Sequence, residues 1–367
     1  MWNYRNPVRV RFGVGSFERL AGVIDGRRYA LVTYDEPVFR QLGDRLANQA
    51  GPAITIINNI RPNPDFIGLR TSCAQLAEFH DKVEVIVAVG GGSVIDAAKV
   101  MAFGPAGFDA VQRFLESLDG TVPAPALPLI AVPTTAGTGS EVTCWATVWD
   151  TETPKKYSLS RDDLYPTDAL IDPALMVGMP RKLTINTGLD ALSHSLESIW
   201  NRNANPVSTT FAITAARTVL ECLPALSRDL ENLELREKLA RAAMMAGLAF
   251  SNTKTALAHS LSYPITLHHG VPHGVACSFS LPMVMRSVTG LDPCCDKALG
   301  EIFGDDLDAG ADRLAALLES LDVPVDYTAH GVSRDEWAGW VVDAMDGERG
   351  RNFIGPKERV NKELLQT

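Results

Sequence analysis

The sequence predicts an N-terminal α/β domain with a mainly parallel sheet, followed by an all-α C-terminal domain. In the first half, short apolar runs rich in β-branched residues alternate with helical patterns, as in parallel sheets covered on both faces. After about Pro180 these runs give way to long segments with apolar residues at helical spacing. A length of 367 residues is enough for two domains. We place them at 1–180 and 181–367.

The strand and helix predictions follow from hydrophobic periodicity. The predicted strands are 29–34, 53–57, 84–89, 129–132, 142–149 and 169–171. The predicted helices are 38–49, 67–80, 94–101, 183–201, 207–223, 235–249 and 251–262. Pro173 and Pro180 punctuate the hinge between the domains. Residues 119–128 and the tail after Gly347 are predicted to be loops.

Composition excludes several classes of protein. Apolar residues make up 46% of the chain and charged residues 21%, which excludes global disorder. The net charge of −10 disfavours binding to nucleic acid or to an anionic membrane. The chain has no apolar run long enough to span a bilayer, and the N-terminus has no apolar signal-peptide core. Six cysteines without a CxxC pair indicate reduced thiols, so we expect a cytoplasmic protein.

Two loops after predicted strands have the composition of a nucleotide site. GGGS at 90–93 lies between a strand and a helix, where backbone N–H groups can bind a pyrophosphate. PTTAGTGSE at 133–141 follows another strand, at the sheet edge where α/β proteins bind ligands. Together they predict a Rossmann-like nucleotide-binding domain, although a tight turn or a polar loop without a ligand would use similar residues. GVGS at 13–16 lacks a third glycine and is interpreted as a hairpin or edge turn.

Asp35 follows the first predicted strand, at the position of the acid that binds the adenosine ribose in many dinucleotide sites. A carboxylate there would repel a 2′-phosphate, so it favours NAD(H) over NADP(H). A solvated loop acid is the alternative.

Four residues of the second half have the chemistry of a metal site. Asp190 and His194 are four apart, on one face of a predicted helix. His259 lies in another helical segment, and His273 follows Pro272 at the start of a further helix. One carboxylate and three imidazoles suit Fe²⁺ or Zn²⁺ and leave coordination open for a substrate. A single histidine is more often simply hydrogen-bonded, so the set of four carries the hypothesis.

The motifs resemble those of the iron-containing, group III alcohol dehydrogenases. They are GGGSVIDAAK (90–99), PTTAGTGSEV (133–142), IDPALMVGMP (171–180), GLDALSHSLE (188–197) and His259 followed by PHG (272–274). The resemblance implies an NAD(P)-dependent homodimeric enzyme that acts on small alcohols or aldehydes. It implies Asp190, His194, His259 and His273 as the metal ligands. The dinucleotide contacts that we infer are Gly91, Gly92, Ser93, Asp96, Thr134, Thr135, Thr138 and Ser140.

The chain departs from the family at one position near the predicted metal site. Many members carry a further histidine four residues after the third ligand, and here Tyr263 stands there. A tyrosine is a weak base at pH 7. We therefore name both Tyr263 and His269 as candidates for proton transfer.

Segments 1–13, 140–150, 156–160, 196–208 and 249–263 are similar to a branch of the family found in phosphonate metabolism. This narrower resemblance implies phosphonoacetaldehyde as substrate and 2-hydroxyethylphosphonate as product. A dianionic phosphonate needs several hydrogen-bond donors, and Lys254, His268 and His269 are the tentative ones, although each could be an ordinary surface residue.

Other functions fit parts of the sequence. A reductase of a different small aldehyde and a polyol dehydrogenase would share the motifs. A redox-neutral lyase of the dehydroquinate synthase type would share the nucleotide domain. A metallohydrolase or a non-enzymatic metal-binding protein would leave the two nucleotide loops unexplained.

Overall fold

The structure is a computed structural model that describes residues 1–105, 107–117, 125–153 and 155–365. Contacts divide the chain into two compact units. The α/β unit comprises Asn6–Thr135 and Ser140–Met176, and the helical unit comprises Met1–Arg5, Ala136–Gly139 and Val177–Thr367. The predicted fold class is therefore confirmed. The boundary at residue 180 stays a prediction, since contacts do not cut the chain at one point.

Parallel strands form the centre of the α/β unit. The strands of the described ranges are β1 (Arg9–Phe12), β2 (Tyr29–Val32), β3 (Thr55–Ile57), β4 (Val85–Gly90), β5 (Leu129–Pro133), β6 (Trp145–Asp150), β7 (Lys155–Ser160) and β8 (Asp168–Ile171). Six of them form a parallel sheet in the order β1-β8-β5-β4-β2-β3. β6 and β7 form a separate antiparallel pair.

Helices cover the sheet and make up most of the second half. Those of the α/β unit are α1 (Leu20–Ile24), α2 (Pro37–Ala50), α3 (Phe66–Ala77), α4 (Gly92–Phe103) and α5 (Phe108–Ser117). Those of the helical unit are α6 (Arg181–Ile199), α7 (Pro206–Leu226), α8 (Leu233–Thr253), α9 (Leu257–His269), α10 (His273–Ala276), α11 (Leu281–Val288), α12 (Pro293–Phe303), α13 (Leu307–Ser320), α14 (Arg334–Asp346) and α15 (Lys357–Leu365).

Side chains of the central strands alternate between two hydrophobic cores. Ala30 and Val32 of β2 pack into the core formed with α3 and α4. Tyr29 and Leu31 face the opposite core, formed with α1 and α2. Burial on both faces explains why these strands are uninterrupted apolar runs in the sequence. Parallel pairing places the carboxyl ends of β4 and β5 side by side, with Gly90 paired to Pro133.

The structure corrects several local predictions. The helix predicted at 251–262 is two helices, because Lys254 adopts a left-handed φ of 63° and ends α8. The tail after Gly347 is not all loop, since it contains α15. Strands β1 and β7 and helix α5 were not predicted. The glycines of GVGS form a turn after edge strand β1, where Gly13 N donates to Ile171 O. Part of the loop predicted at 119–128 lies outside the described residues.

Candidate functional site

The four predicted ligands converge in the helical unit. Helix α6 carries Asp190 and His194, while α9 carries His259 and α10 begins at His273. Asp190 Oδ1 lies 3.7 Å from His194 Nε2, 3.4 Å from His259 Nε2 and 3.9 Å from His273 Nε2. The structure thus brings together residues from three helices around a single carboxylate oxygen.

This cluster has the chemistry of a metal site. His259 Nε2 is buried and has no hydrogen-bond partner among the described residues. Its ring is oriented from the other side, where His259 Nδ1 lies 2.7 Å from Glu197 Oε2. A proton on Nδ1 donated to Glu197 leaves the Nε2 lone pair facing Asp190, as in metal-bound histidines. The residues therefore fit a divalent ion.

Burial and charge set the protonation states of the cluster. Burial alone would raise the pKa of Asp190, but the three imidazoles beside it hold that pKa below its ordinary value. Burial lowers the pKa of His194 to about 4, although Asp190 opposes the shift. A neutral imidazole beside an ionised carboxylate is the state that binds a metal. The His273 side chain is 29% exposed, compared with 3% for His259, so the cluster opens on the His273 side.

Two residues of this site were missed from the sequence. Cys277 Sγ lies 3.7 Å from Asp190 Oδ1, and Asp190, His259, His273 and Cys277 have donor atoms within 4.8 Å of one another. Glu197 is fully buried and accepts from Ala256 N, His259 N and His259 Nδ1. Glu197 could have been found, because it lies seven residues after Asp190 on the same helix face. Cys277 lies four residues after His273, the same spacing that joins Asp190 and His194, so this pattern could have marked it.

A close backbone approach fixes the short helix that carries His273. Gly274 N donates to Asn186 Oδ1 over 2.8 Å. A Cβ on Gly274 would lie only 1.8 Å from Asn186 O. Glycine is thus required for α10 to pack against α6 at this distance, which in turn holds His273 near Asp190.

Tyr263 lies beside the cluster, as its sequence position predicted. Its ring is nearly parallel to that of His273, with the centroids 6.1 Å apart. Burial raises the pKa of Tyr263 to about 12, even though Arg349 lies over the ring and lowers it. Tyr263 is therefore a neutral hydroxyl at neutral pH.

The tentative substrate donors do not converge on the cluster. Lys254 Nζ lies 3.6 Å from Glu348 Oε1 and is largely exposed. His269 Nε2 lies 3.3 Å from Glu336 Oε1, and both His268 and His269 pack on Trp340. His269 is ten residues from His259 on α9, which is about 15 Å along a helix axis.

Five of the predicted dinucleotide contacts lie together in the α/β unit. Gly91 caps α4, and a Cβ there would lie 3.1 Å from Thr135 Cγ2. Thr134 N donates to Gly90 O, so this loop continues the pairing of β4 with β5. Gly92 and Ser93 begin α4, where helix N–H groups lack intrahelical partners. The loop thus has the strand–loop–helix form that the predicted anion site requires.

The predicted contacts Asp96 and Ser140 are hydrogen-bonded to each other. Asp96 Oδ1 accepts from Ser140 Oγ over 2.6 Å, and buried Lys99 Nζ donates to Ser140 O, Ser140 Oγ and Trp145 O. Burial lowers the pKa of Lys99 to about 8. These bonds attach the loop 133–141 to α4. Asp96 and Ser140 therefore have a structural role, because they hold this loop against the helix. Thr138 belongs to the segment Ala136–Gly139, which groups with the helical unit.

Asp35 lies three residues after β2, and its carboxylate is engaged. Arg40 Nε and Nη2 each donate to it over 3.0 Å, and Asn58 Nδ2 donates over 2.7 Å. The Arg40 hydrogen bonds hold the pKa of Asp35 below its ordinary value. An acid and an arginine therefore stand together where the ribose contact was predicted.

Among the described residues, every helix is too short or too polar to cross a bilayer. Comparisons with known proteins agree with the site chemistry. Residues 7–173 match the family described as iron-containing alcohol dehydrogenase, and residues 184–367 match the C-terminal part of that family. The 1,3-propanediol dehydrogenase of Klebsiella pneumoniae is 32% identical over 325 residues, which cover 86% of this chain and 82% of that protein.

Two further relatives act on small charged aldehydes, according to their names. The phosphonoacetaldehyde reductase of Streptomyces viridochromogenes is 36% identical over 211 residues, or 56% of this chain and 53% of that protein. The sulfoacetaldehyde reductase of Bifidobacterium kashiwanohense, solved with NAD+, has a TM-score of 0.90 at 30% identity, covering 100% of this chain and 99% of that one. The chain therefore belongs to the iron-containing alcohol dehydrogenase family and is an aldehyde and alcohol oxidoreductase of that type.

Proposed function

We propose that this enzyme reduces a small aldehyde to a primary alcohol, with NADH as reductant and one Fe²⁺ or Zn²⁺ ion per chain. The favoured substrate is phosphonoacetaldehyde, which gives 2-hydroxyethylphosphonate. The observation that carries the proposal is the cluster in which three imidazole nitrogens surround Asp190 Oδ1 within 3.9 Å. The ligands are Asp190, His194, His259 and His273.

A bound divalent ion supplies Lewis acidity to the aldehyde oxygen, and a bound nicotinamide supplies the hydride. The residues of the chain bind these groups and the substrate, and they orient them. Glu197 holds His259 in the tautomer that presents Nε2. The exposed edge of His273 marks the side from which a substrate reaches the cluster. Tyr263 keeps its proton at neutral pH and donates a hydrogen bond beside that edge.

Of the two candidates for proton transfer, the geometry favours Tyr263. Its ring stacks on His273, whereas His269 contacts Glu336 and Trp340 on α14. Tyr263 Oη would donate its proton to the product oxygen and regain one from solvent by way of the Thr255 hydroxyl, with which it is hydrogen-bonded.

For the cofactor we propose NAD(H) rather than NADP(H). Gly91, Gly92, Ser93, Thr134 and Thr135 supply the pyrophosphate end, and Asp35 accepts from the adenosine ribose. The support is the position of these residues along one edge of the sheet, together with a structural neighbour solved with NAD+. The metal could be zinc, because imidazole and carboxylate ligands serve both ions. We also expect a homodimer, which sedimentation velocity would test.

A second candidate is the oxidation or reduction of a neutral alcohol or polyol. It is favoured by the similarity to 1,3-propanediol dehydrogenase over most of the chain. A redox-neutral lyase of the dehydroquinate synthase type would leave the NADH concentration unchanged during turnover.

Initial rates separate these functions. Metal-free enzyme reloaded with Fe²⁺ or Zn²⁺ is mixed with NADH and phosphonoacetaldehyde, and in parallel with acetaldehyde or propanal. Metal-dependent loss of NADH with a strong preference for the phosphonate supports the proposal. Equal rates on all aldehydes retain the reductase and remove the phosphonate preference. Loss of substrate without loss of NADH favours the lyase.

A further inference from the structure

An arginine that no sequence motif marks lies next to the metal cluster. The guanidinium carbon of Arg349 lies 4.8 Å from the centroid of the Tyr263 ring. Tyr263 in turn stacks on His273, the ligand on the open side of the cluster. The Tyr263 ring therefore contacts both a permanent positive charge and the histidine on the open side of the cluster.

Within the residues that the structure describes, the Arg349 side chain is held in place by a hydrogen bond from Nε alone. Arg349 Nε donates to Thr255 Oγ1 over 3.1 Å, and Asn352 Nδ2 donates to Thr255 O over 2.9 Å. These contacts orient the plane of the guanidinium and leave the N–H groups of both Nη atoms for another partner. Among the described residues, no carboxylate forms an ion pair with Arg349, and the adjacent Glu348 pairs with Lys254 instead.

Arg349 is half-buried, and because no carboxylate of the described residues pairs with it, its charge is available to an anion from outside the chain. The aromatic ring beneath it removes part of its hydration, which makes a charge-assisted hydrogen bond to a ligand stronger. The fork of an arginine matches the geometry of a tetrahedral oxyanion, which can accept two parallel hydrogen bonds. A neutral aldehyde offers nothing for this group to bind.

We propose that Arg349 determines substrate specificity by binding the oxyanion group, a phosphonate or sulfonate, of a short-chain aldehyde whose carbonyl lies at the metal cluster. This inference rests on the proposed function and narrows its substrate class. It assigns the anion-binding role to Arg349 rather than to Lys254, which pairs with Glu348, or to His268 and His269, which pack on Trp340. It also gives Tyr263 a second task, since its ring supports the guanidinium.

The test compares Arg349→Met with wild type, because methionine retains much of the packing on Tyr263 without the charge. We expect the ratio of kcat/KM for phosphonoacetaldehyde or sulfoacetaldehyde to that for propanal to fall by about 100-fold, because any effect that acts through Thr255 or Tyr263 changes the rates on all aldehydes alike. Arg349→Lys restores part of the loss, since lysine keeps the charge but not the fork. Arg351→Met, two residues away and exposed, is the matched control and keeps wild-type rates on every aldehyde.

Lys254→Met tests the rival cation. If it, and not Arg349→Met, abolishes the preference for anionic aldehydes, the assignment to Arg349 is wrong. The assignment is equally wrong if Arg349→Met lowers the rates on propanal and phosphonoacetaldehyde by the same factor. Comparison of the two oxyanions in wild type then tells whether phosphonate or sulfonate is the better ligand.

A binding measurement separates failure of this inference from failure of the proposed function. Calorimetry follows 2-hydroxyethylphosphonate, 2-hydroxyethylsulfonate and 1-propanol binding to metal- and NAD+-loaded wild type and Arg349→Met. Binding of the anionic alcohols that depends on Arg349 supports the inference even if no aldehyde is reduced. Equal binding of an anionic alcohol to both proteins overturns it, even if wild type is an active reductase.

Discussion

The Glu197 carboxylate controls a metal ligand that it would not itself contact. It accepts hydrogen bonds from His259 Nδ1 and from two backbone N–H groups, and it is fully buried. Hydrogen bonds to the far nitrogen of a histidine fix its tautomer and raise its basicity.

Glu197→Gln should therefore weaken metal binding by about 10- to 100-fold, the range typical of such supporting residues. Competition with a coloured chelator measures the affinity directly. Glu319→Gln, an exposed change on α13, is the control and should bind metal like wild type. An unchanged affinity in Glu197→Gln would show that His259 does not depend on this carboxylate.

Asp35 and Arg40 together suggest how the cofactor preference could be reversed. In Asp35→Ser the carboxylate is lost, and Arg40 and Asn58 become available to a 2′-phosphate. We expect the ratio of kcat/KM for NADPH to that for NADH to rise by about tenfold, equivalent to ~1.4 kcal/mol. Asp44→Ser on the exposed face of α2 serves as control. A constant ratio in Asp35→Ser would remove Asp35 from the ribose site.

Glu141 links stability to pH. Burial raises its pKa from the ordinary 4.5 to about 7, in spite of Lys99 nearby. Between these two pH values the unfolded chain loses a proton that the folded chain keeps, so the free energy of unfolding falls as pH rises. Below pH 4.5 both states are protonated, and above about pH 7 the loss is complete.

The expected loss is about 3 kcal/mol between pH 4.5 and 7. It should be absent in Glu141→Gln, whose amide does not titrate. Urea unfolding of both metal-free proteins across this pH range gives the free energy of unfolding of each. The contributions of other titrating groups cancel in the difference between wild type and Glu141→Gln. Parallel curves for the two proteins would mean that Glu141 ionises normally in the fold.

At the scale of the element, one close contact between α6 and α10 controls the metal cluster. Gly274→Ala would place a methyl group 1.8 Å from Asn186 O, so α10 has to move. Because α10 starts at His273, we expect Gly274→Ala to lose metal at a chelator concentration that wild type withstands, and to unfold at a lower temperature.

Gly300→Ala is the matched control for that prediction. Gly300 lies inside α12, and a Cβ there meets nothing within 4 Å. Alanine favours a helix by about 0.5–1 kcal/mol over glycine, so this variant should be more stable than wild type and bind metal normally. Normal metal content in Gly274→Ala would show that the helices tolerate a larger separation.

The elements that could be predicted are those with a strong local pattern. β4 and β5 are buried on both faces and consist of continuous apolar residues, so the sequence alone predicts them. β1 is an edge strand with the sequence RVRF and two exposed residues, so it resembled a polar loop. The break between α8 and α9 was predicted at residue 250, about four residues too early, because Lys254 adopts a positive φ without a glycine or proline to mark it.

In the whole molecule, the contacts that could not be predicted are those between residues far apart in the chain. The four proposed metal ligands were recognisable by residue type and by motif. Cys277 and Asp190 are 87 residues apart, and Arg349 and Thr255 are 94 apart, so no local pattern connects them. Lys254, by contrast, was chosen for its nearness to His259 in the chain, and the fold directs it to Glu348 instead.

We propose that one divalent ion at Asp190 makes the enzyme active as a reductase. The direct measurement is an anaerobic titration of chelator-treated protein with Fe²⁺, following NADH loss with a saturating aldehyde. We expect a rate that rises from near zero and levels off at about one ion per chain, with Asp190→Asn inactive at the same metal concentration. Full activity of the metal-free protein, or of Asp190→Asn, would contradict it.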